Sequence, residues 1–475
     1  MAEPEPEPEP EPVQPVANAN RSTTPVSEEF ARYISTGWAD RDAPAPALRE
    51  QAPFAAVRRA RISALHTGER LVFPAGAAQV RSNDTDYPFR ADSDFAYLTG
   101  WGSDTVPDSV LVLEPAGGGD GDAGSGHSAT LYLREAAGRD TDEFYANADI
   151  GEFWTGARPT LTDVSIQLGI ETRSLLDLTP EPPTDLARHE IVTRDLGEMR
   201  LVKDGFEVTE LREAVAATKR GFDDVIRGLS EIVQHARGER IVEGTFNRRA
   251  RVEGNTVGYD TIAASGPHAC ILHWTRNDGP VEPGHLILLD AGVELDSYYT
   301  ADITRTLPVG GTFDPVQRRI YEAVLDAADA AFAVVRPGIR FREVHAAAMH
   351  VIAARTAEWG LLPVSAEESL KPEKQYHRRY MVHGTSHHLG LDVHDCAQAR
   401  REFYLDGVIE AGMVFTIEPG LYFQPDDLTV PEEYRGIGVR IEDNILVTES
   451  GAENLSIGIP RATADVEAWI AALTA

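Results

Sequence analysis

The chain has 475 residues, 42% of them hydrophobic and 8% aromatic, which is too long for one ordinary domain and sufficient for two sizeable cores. Its 76 acidic and 44 basic residues leave a formal charge of −32, which argues against nucleic acid or an anionic membrane surface as partner. It contains no apolar run of about eighteen residues, so no transmembrane helix is expected, and two cysteines favour a reducing cytoplasm.

The first residues, MAEPEPEPEPEPVQPVA, repeat Glu-Pro and lack the basic start and apolar core of a signal peptide. Such a repeat neither forms a helix nor buries a core. We therefore expect residues 1–25 to be an extended, disordered tail.

A first domain is expected at residues 28–195, where helical and strand-like segments alternate and predict an α/β layer structure. Pro53–His66 looks helical, whereas LVFPAG, FAYLTG, SVLVLEP and ATLYLRE look like strands. The glycine-rich GGGDGDAGSG lacks the lysine of a phosphate-binding loop, so we predict a flexible hairpin loop there. The domain boundary is expected between Ile191 and Asp204.

A second domain, residues 200–475, is predicted to contain three amphipathic helices that alternate with strands. The evidence is apolar residues recurring at steps of three, four and seven, together with a capping Asp-Pro pair and stopping glycines. The helices are expected at 208–229, from Asp314-Pro315 to Pro337-Gly338, and from Val344 to about Gly360.

Four carboxylates accompany apolar strands in this second domain. Asp290 ends the run LILLD and Asp302 lies on the next strand-like stretch, so both are expected on one face of a hairpin. Downstream, Glu418 ends an apolar run in MVFTIEPG, and Glu442 lies inside the strand-like GVRIEDNILVT. Burying a carboxylate beside an apolar strand is costly unless a positive group faces it. We therefore interpret the four as metal ligands.

Between these pairs, MVHGTSHHLGLDVHD holds four histidines, which indicates a metal site, proton transfer or both. Several carboxylates with one imidazole suit manganese, iron, cobalt or zinc. Four carboxylates exceed what one divalent ion needs, whereas two ions about 3.5–4 Å apart would use them all. The histidines are His383, His387, His388 and His394.

LLDAG…ADITRT, HGTSHHLGLDVHD, TIEPGLY and GVRIEDN, in this order, resemble the metal-binding signature of the pita-bread metallopeptidases. Aminopeptidase P (Xaa-Pro aminopeptidase) is the most similar member, and prolidase is a near relative. RSNDTDYPFRADSDFAYLTGW resembles the amino-terminal domain of these enzymes, which carries no metal ligands. The resemblance implies an α/β fold: a creatinase-like α/β domain, then a pita-bread catalytic domain with a curved antiparallel sheet.

The resemblance also implies a ligand set for two divalent ions, with manganese as the first candidate in this family and cobalt, zinc or iron as alternatives. The implied ligands are Asp290, Asp302, His387, Glu418 and Glu442. The two aspartates are twelve positions apart, one more than is usual in the family. A bulge or a longer turn in the hairpin is expected to absorb the extra residue.

The family assigns roles within this set. Asp290 and Glu442 would bridge the ions, Asp302 would complete one site, and His387 with Glu418 the other. Glu418 would also carry the proton of the attacking water to the leaving nitrogen. No role is assigned to His388. By the same resemblance, His273 faces the substrate and His383 contacts the residue after the scissile bond. His394 donates a hydrogen bond to the scissile carbonyl as it gains charge. Arg440, two residues from Glu442, is expected to hold a bridging carboxylate.

The predicted activity is release of the N-terminal residue from peptides with proline in second position. Prolidase, which cuts only Xaa-Pro dipeptides, stays open as an alternative because the short motifs do not separate the two. A non-catalytic peptide-binding module on the same fold is a remote alternative. By analogy with the family, a homodimer or homotetramer is expected.

Overall fold

The structure is a computed structural model and describes residues 24–39, 46–83, 85–116, 126–148, 150–179 and 186–475. The predicted tail lies outside these residues except for its last two positions, and the glycine-rich loop lies outside them except for its last glycine. Within the described residues, no helix combines the length and apolar character needed to cross a bilayer.

The amino-terminal part is a four-stranded sheet covered by helices. Its strand order is β1-β4-β5-β6, antiparallel except for the parallel β5–β6 pair, and a small β2–β3 hairpin stands apart. The strands are β1 Leu71–Pro74, β2 Val80–Ser82, β3 Thr85–Asp86, β4 Val110–Pro115, β5 His127–Leu133 and β6 Glu171–Ser174. The helices are α1 Glu28–Ile34, α2 Ala52–Leu65, α3 Ser93–Thr99, α4 Glu143–Ala146, α5 Glu152–Thr155, α6 Leu161–Leu168 and α7 Leu186–Arg200.

One strand prediction in this part is wrong, because FAYLTG forms most of helix α3. The Asp92 carboxylate accepts hydrogen bonds from the N–H groups of Asp94 and Phe95 and so starts the helix. Gly100, at φ +70°, ends it in the left-handed conformation. A short apolar run buried on every side looks the same as helix or strand, and here the two caps decide.

The carboxyl-terminal part has three antiparallel sheets that bear on the site, plus a β10–β7 pair. Their orders are β11-β9-β8, β12-β15-β16 and β13-β14. The strands are β7 Thr256–Val257, β8 Ile262–Ser265, β9 Leu286–Ala291, β10 Val293–Glu294, β11 Ile303–Pro308, β12 Val414–Ile417, β13 Gly420–Phe423, β14 Ile437–Arg440, β15 Asp443–Val447 and β16 Ala452–Asn454.

Helices pack outside these sheets, and the three predicted ones are confirmed as α8, α11 and α12. Aspartates begin α8 and α11 through reciprocal capping boxes, from Asp204 to Glu207 and from Asp314 to Gln317. The helices are α8 Gly205–Arg227, α9 Leu229–Ile232, α10 Gly238–Glu253, α11 Pro315–Val334, α12 Phe341–Glu358, α13 Ala366–Ser369 and α14 Thr463–Thr474.

The two parts share buried surface. The predicted boundary falls on the end of α7 and the short link to α8. Tyr298 and Tyr299, from the turn after β10, pack in one apolar cluster with Trp101 and Leu98 of the amino-terminal part. The hairpin that carries the two aspartates is therefore fixed at its tip by the first domain.

Candidate metal centre

A cavity of about 450 Å³ opens between the antiparallel sheets of the carboxyl-terminal part. It is lined by all nine residues to which the resemblance gives a role: Asp290, Asp302, His387, Glu418, Glu442, His273, His383, His394 and Arg440. The two cysteines, Cys270 and Cys396, are buried and unpaired.

The two aspartates lie on neighbouring strands of one hairpin. Strand β9 pairs with β11 so that Asp290 is opposite Thr304, and Asp302 lies one residue before β11. Continuing this register places Asp302 opposite Gly292, on the same face as Asp290 because side chains two residues apart point to the same side. Gly292 leaves room there, since a Cβ at this position would meet the Ala301 carbonyl oxygen at 1.7 Å.

The extra residue between the aspartates is taken up by the turn. The pairing stays regular out to Leu295, whose N–H donates to the carbonyl of Tyr299 at 2.9 Å. Three residues, 296–298, then close the hairpin, with Tyr298 at φ +72°. A three-residue turn that ends in a left-handed residue is a common hairpin connection. The longer turn, rather than a bulge, therefore preserves the aspartate geometry.

The two glutamates face each other where two strands change sheets. Strand β12 pairs with β15 and β13 pairs with β14 in one continuous register, which puts Glu418 opposite Glu442. Glu418 lies between β12 and β13, and Glu442 lies in the link between β14 and β15. The prediction that Glu442 sits inside a strand is thus wrong by one residue. Both glutamates lie between paired strands, and their carboxylates line the cavity.

His387 lies at the centre of this set. Its Nε2 is 3.3 Å from Asp302 Oδ2, 3.6 Å from Glu418 Oε1 and 3.9 Å from Glu442 Oε1. Ligand atoms of Asp302, His387 and Glu442 all lie within 4.8 Å of one another. This spacing and donor set fit a divalent cation.

The carboxylates destabilise one another in the absence of a cation. Burial, and then the charge of Asp290, raise the pKa of Asp302 well above its usual range. Burial, and then Asp302, do the same to the pKa of Glu442, whose Oε1 is buried without a hydrogen-bond partner. Burial and Glu442 raise the pKa of Glu418 to about 8. A bound cation would relieve this repulsion, because its positive charge stabilises the ionised form of each carboxylate.

Tyr259 and Tyr422 belong to the site, although sequence reasoning missed both. The Tyr259 hydroxyl contacts Asp290 Oδ1 at 2.7 Å and Asp302 Oδ1 at 2.5 Å. Tyr259 follows β7, which pairs with β10 in one arm of the aspartate hairpin. The signal was absent because Tyr259 has no motif of its own and lies 31 positions from Asp290.

Arg440 holds one aspartate and is itself hydrogen-bonded to Tyr422 and Thr304. Its guanidinium makes a close ion pair with Asp290 Oδ2 and donates from Nη1 to the Tyr422 hydroxyl at 3.1 Å. It also donates from Nε to Thr304 Oγ1 at 3.1 Å, and that hydroxyl donates to Glu442 Oε2 at 2.8 Å. Burial opposes its charge, but Tyr422 and Asp290 outweigh burial and raise its pKa.

Three further histidines, His273, His383 and His394, line the cavity, and two of them have shifted pKa values. The His394 ring is 4.5 Å from the His387 ring, edge to face, and burial followed by His387 and His273 lowers its pKa. His383 Nε2 lies 2.8 Å from the Tyr422 hydroxyl, and burial lowers its pKa to about 3. Both imidazoles are therefore neutral at neutral pH and retain one N–H to donate.

His388 points away from the cavity. It is 1% exposed and stacks on Phe341 with ring centres 4.6 Å apart. Burial, and then the charge of Lys203, lower its pKa to about 3. The side chain packs as a neutral ring in the core behind the site.

Comparison with known proteins agrees with this geometry. The profile of metallopeptidase family M24 matches residues 209–449, and that of the aminopeptidase P N-terminal domain matches residues 54–191. Xaa-Pro aminopeptidase 1 of Streptomyces coelicolor is 50% identical over 471 residues, with 94% of this chain and 93% of the relative covered. Xaa-Pro aminopeptidase 2 of the same organism is 51% identical over 468 residues, with 94% and 97% covered.

A solved structure is similar over nearly the whole fold. Zinc-substituted Escherichia coli aminopeptidase P in complex with product matches with a TM-score of 0.74 at 29% identity, covering 90% of this chain and 99% of that chain. The predicted fold is confirmed: an aminopeptidase P N-terminal domain followed by a pita-bread domain of mixed α/β structure with antiparallel sheets. The chain belongs to metallopeptidase family M24.

Proposed function

We propose that this chain is a dinuclear metal-dependent aminopeptidase that releases the N-terminal residue from peptides with proline in second position. The observation that carries the proposal is one cavity in which four carboxylates surround a single imidazole. Arg440 is the one arginine or lysine among the described residues that line it, which leaves the carboxylates without sufficient positive charge. Membership of family M24 implies divalent metal ions.

The ligands we assign are Asp290, Asp302, His387, Glu418 and Glu442. Two bound divalent ions would lower the pKa of a water and polarise the scissile carbonyl. Asp302, His387 and Glu442 would share one ion, because ligand atoms of these three residues lie within 4.8 Å of one another, and Asp290 and Glu418 would complete the set. Manganese is the first candidate, and zinc, cobalt and iron suit the same oxygen and nitrogen donors.

The remaining residues bind substrate and move protons. Glu418 takes the proton of the attacking water and delivers it to the leaving nitrogen. His394 donates an N–H to the carbonyl oxygen as negative charge develops there, and it does so as a neutral imidazole. His383, held by Tyr422, is assigned to the residue after the scissile bond, and His273 is assigned to the substrate.

Preference for proline follows from the relatives and agrees with the cavity. The two Streptomyces coelicolor relatives are named Xaa-Pro aminopeptidases. A peptide bond to proline carries no N–H, so the site needs an apolar surface for the ring and no acceptor for a backbone donor. Ile262, Leu272 and Val393 supply apolar lining in the same cavity.

Substrate panels test the proposal against prolidase. Purified protein, stripped of metal with a chelator and reloaded with manganese, should cleave Xaa-Pro-Yaa tripeptides and leave Xaa-Ala-Yaa intact. The stripped protein should be inactive. Cleavage of Xaa-Pro dipeptides alone would make the chain a prolidase. Bound manganese and bound peptide without turnover would make it a binding module.

Glu418→Gln tests the proton role separately. The amide keeps the size of the side chain but does not accept a proton, so turnover should fall by at least about 100-fold. Part of the metal should stay bound. Glu433→Gln, an exposed glutamate outside the cavity, is the matched control and should be fully active. Retained activity in Glu418→Gln would contradict the assignment.

Two further expectations are part of the proposal. We place the enzyme in the cytoplasm, because its free cysteines are buried and unpaired. A homodimer or homotetramer is proposed by analogy with the family. Light scattering of the purified protein would measure the mass directly.

A further inference from the structure

The segment that carries His394 has neither helix nor strand to hold it. Residues 389–395 pass beneath the cavity, and Val393 and His394 line it. Four backbone hydrogen bonds fix this segment. The Leu389 N–H donates to the Val414 carbonyl, the Gly390 N–H donates to the Asp392 carbonyl, and the Gly390 carbonyl accepts from the Thr300 N–H, each at 3.1 Å, while the Asp395 N–H donates to the His388 carbonyl at 2.9 Å. Its two acidic side chains, Asp392 and Asp395, flank His394 and supply further anchors.

Asp395 is the deeper anchor. It is 1% exposed, accepts from Lys203 Nζ at 2.9 Å and makes a close ion pair with Arg200. Lys203 Nζ also donates to the Arg200 carbonyl at 2.6 Å, so the end of α7 and the link after it form one cationic unit. Burial opposes ionisation of Asp395, but the two cations outweigh it and lower its pKa below the usual range.

Asp392 is the second anchor, and it reaches the first domain. Its Oδ2 accepts from Arg200 at 2.6 Å, and its Oδ1 accepts from Ser93 at 2.6 Å and from Arg90 at 3.1 Å. Arg90 Nε donates in turn to Glu294 at 2.8 Å, on the hairpin that carries the metal-site aspartates. Arg200 therefore bridges both acidic side chains, and Arg90 joins this segment to the aspartate hairpin.

Gly390 shows how closely the segment wraps around this cluster. A Cβ at Gly390 would lie 2.3 Å from Asp395 Oδ2 and 2.9 Å from Lys203 Cε. The backbone thus runs directly against the buried ion pair. Any displacement of that pair moves the chain four residues before His394.

We infer that Arg200, with Lys203 and Arg90, positions His394 by holding Asp392 and Asp395 on either side of it. None of these three cations lines the cavity, so each acts through the segment and not on the substrate. A donor to a developing oxyanion must be held within a few tenths of an ångström, and a misplacement of about 1 Å costs up to about 100-fold in rate. The first domain, which carries no metal ligand, thereby contributes to catalysis.

This inference rests on the proposed role of His394, and a double-mutant cycle separates the two. Asp392→Asn keeps the shape of the side chain and removes the charge that holds Arg200 and Arg90. We expect kcat on an Xaa-Pro-Yaa tripeptide to fall about tenfold or more, with KM and manganese content changed less than about twofold. In a His394→Ala background the same substitution should change kcat less than about twofold, because its target is gone.

Glu198→Gln is the matched control. Glu198 lies on α7, the helix that also carries Arg200, and its carboxylate pairs with Arg400, beyond residues 389–395. The substitution should therefore leave kcat unchanged. If Asp392→Asn does not fold, Arg200→Lys keeps one positive charge but cannot bridge two carboxylates, and the same result is expected. Crystals of the folded variant should show the His394 ring displaced and the five ligands in place, a readout that needs no activity.

Several results would overturn the inference. The first is a kcat of Asp392→Asn within twofold of wild type, and the second is an equal loss of kcat in the wild-type and His394→Ala backgrounds. The others are a loss of kcat that follows manganese content, and an unmoved His394 ring in the variant crystal. Wild-type protein that cleaves no Xaa-Pro peptide would instead contradict the proposed function. Full activity of His394→Ala would contradict the role of that histidine, and the positioning role with it.

Discussion

The metal-free protein should lose stability as the pH rises from 5 to 8. In the folded chain, burial and Glu442 raise the pKa of Glu418 from its usual 4.5 to about 8. In the unfolded chain Glu418 ionises near its usual pKa. Between these two values the folded state holds a proton that the unfolded state has released, so stability falls with increasing pH.

The size of the effect follows from this pKa difference. At about 1.4 kcal/mol per pH unit across the window, Glu418 alone accounts for about 3.5 kcal/mol between pH 5 and pH 8. Asp302 and Glu442, whose pKa values are raised in the same direction, add to it. At about 2 °C per kcal/mol, the apparent melting temperature should drop by about 7 °C or more. Manganese should reverse the loss, and more at pH 8 than at pH 5.

Glu418→Gln isolates the contribution of the site from the repulsion of the whole acidic chain. The amide is neutral at every pH, so the metal-free variant should show a clearly smaller drop in melting temperature, measured by calorimetry in the same buffers. Both proteins share every other charge. Equal pH dependence in wild type and variant, or a manganese increment no larger at pH 8, would refute the reasoning.

Two further substitutions test the site and the fold. Tyr259→Phe removes one hydroxyl that bonds both aspartates, and manganese affinity should fall about 10- to 100-fold by competition titration; unchanged affinity would contradict a supporting role. Gly100→Ala should lower stability by about 1–2 kcal/mol, since φ is +70° and its Cβ would lie 2.9 Å from Gln51 Cγ. Gly244→Ala, in open space on α10, is the matched control and should be neutral or stabilising.

The residues that the sequence predicted best are those whose chemistry and local pattern agree. A carboxylate that interrupts an apolar strand is visible in one dimension, which is why Asp290 and Asp302 stood out before their register was known. The helices α8, α11 and α12 were equally visible from their apolar periodicity, and the Asp314-Pro315 cap also placed the start of α11.

The parts that could not be predicted depend on contacts between distant segments. Arg200 meets Asp392 across 192 positions, and Arg90 meets Glu294 across 204, so no local pattern reports either pair. For α3 the reason is different. Its apolar run fits a helix or a strand equally well. Asp92, the residue that caps the helix, is visible in the sequence, but a single capping residue does not outweigh the strand-like run.

A crystal of the protein grown with manganese tests the central claim most directly. Anomalous scattering at the manganese edge should give two peaks in the cavity, enclosed by Asp290, Asp302, His387, Glu418 and Glu442. A single peak, peaks elsewhere, or none at saturating manganese would contradict a dinuclear centre.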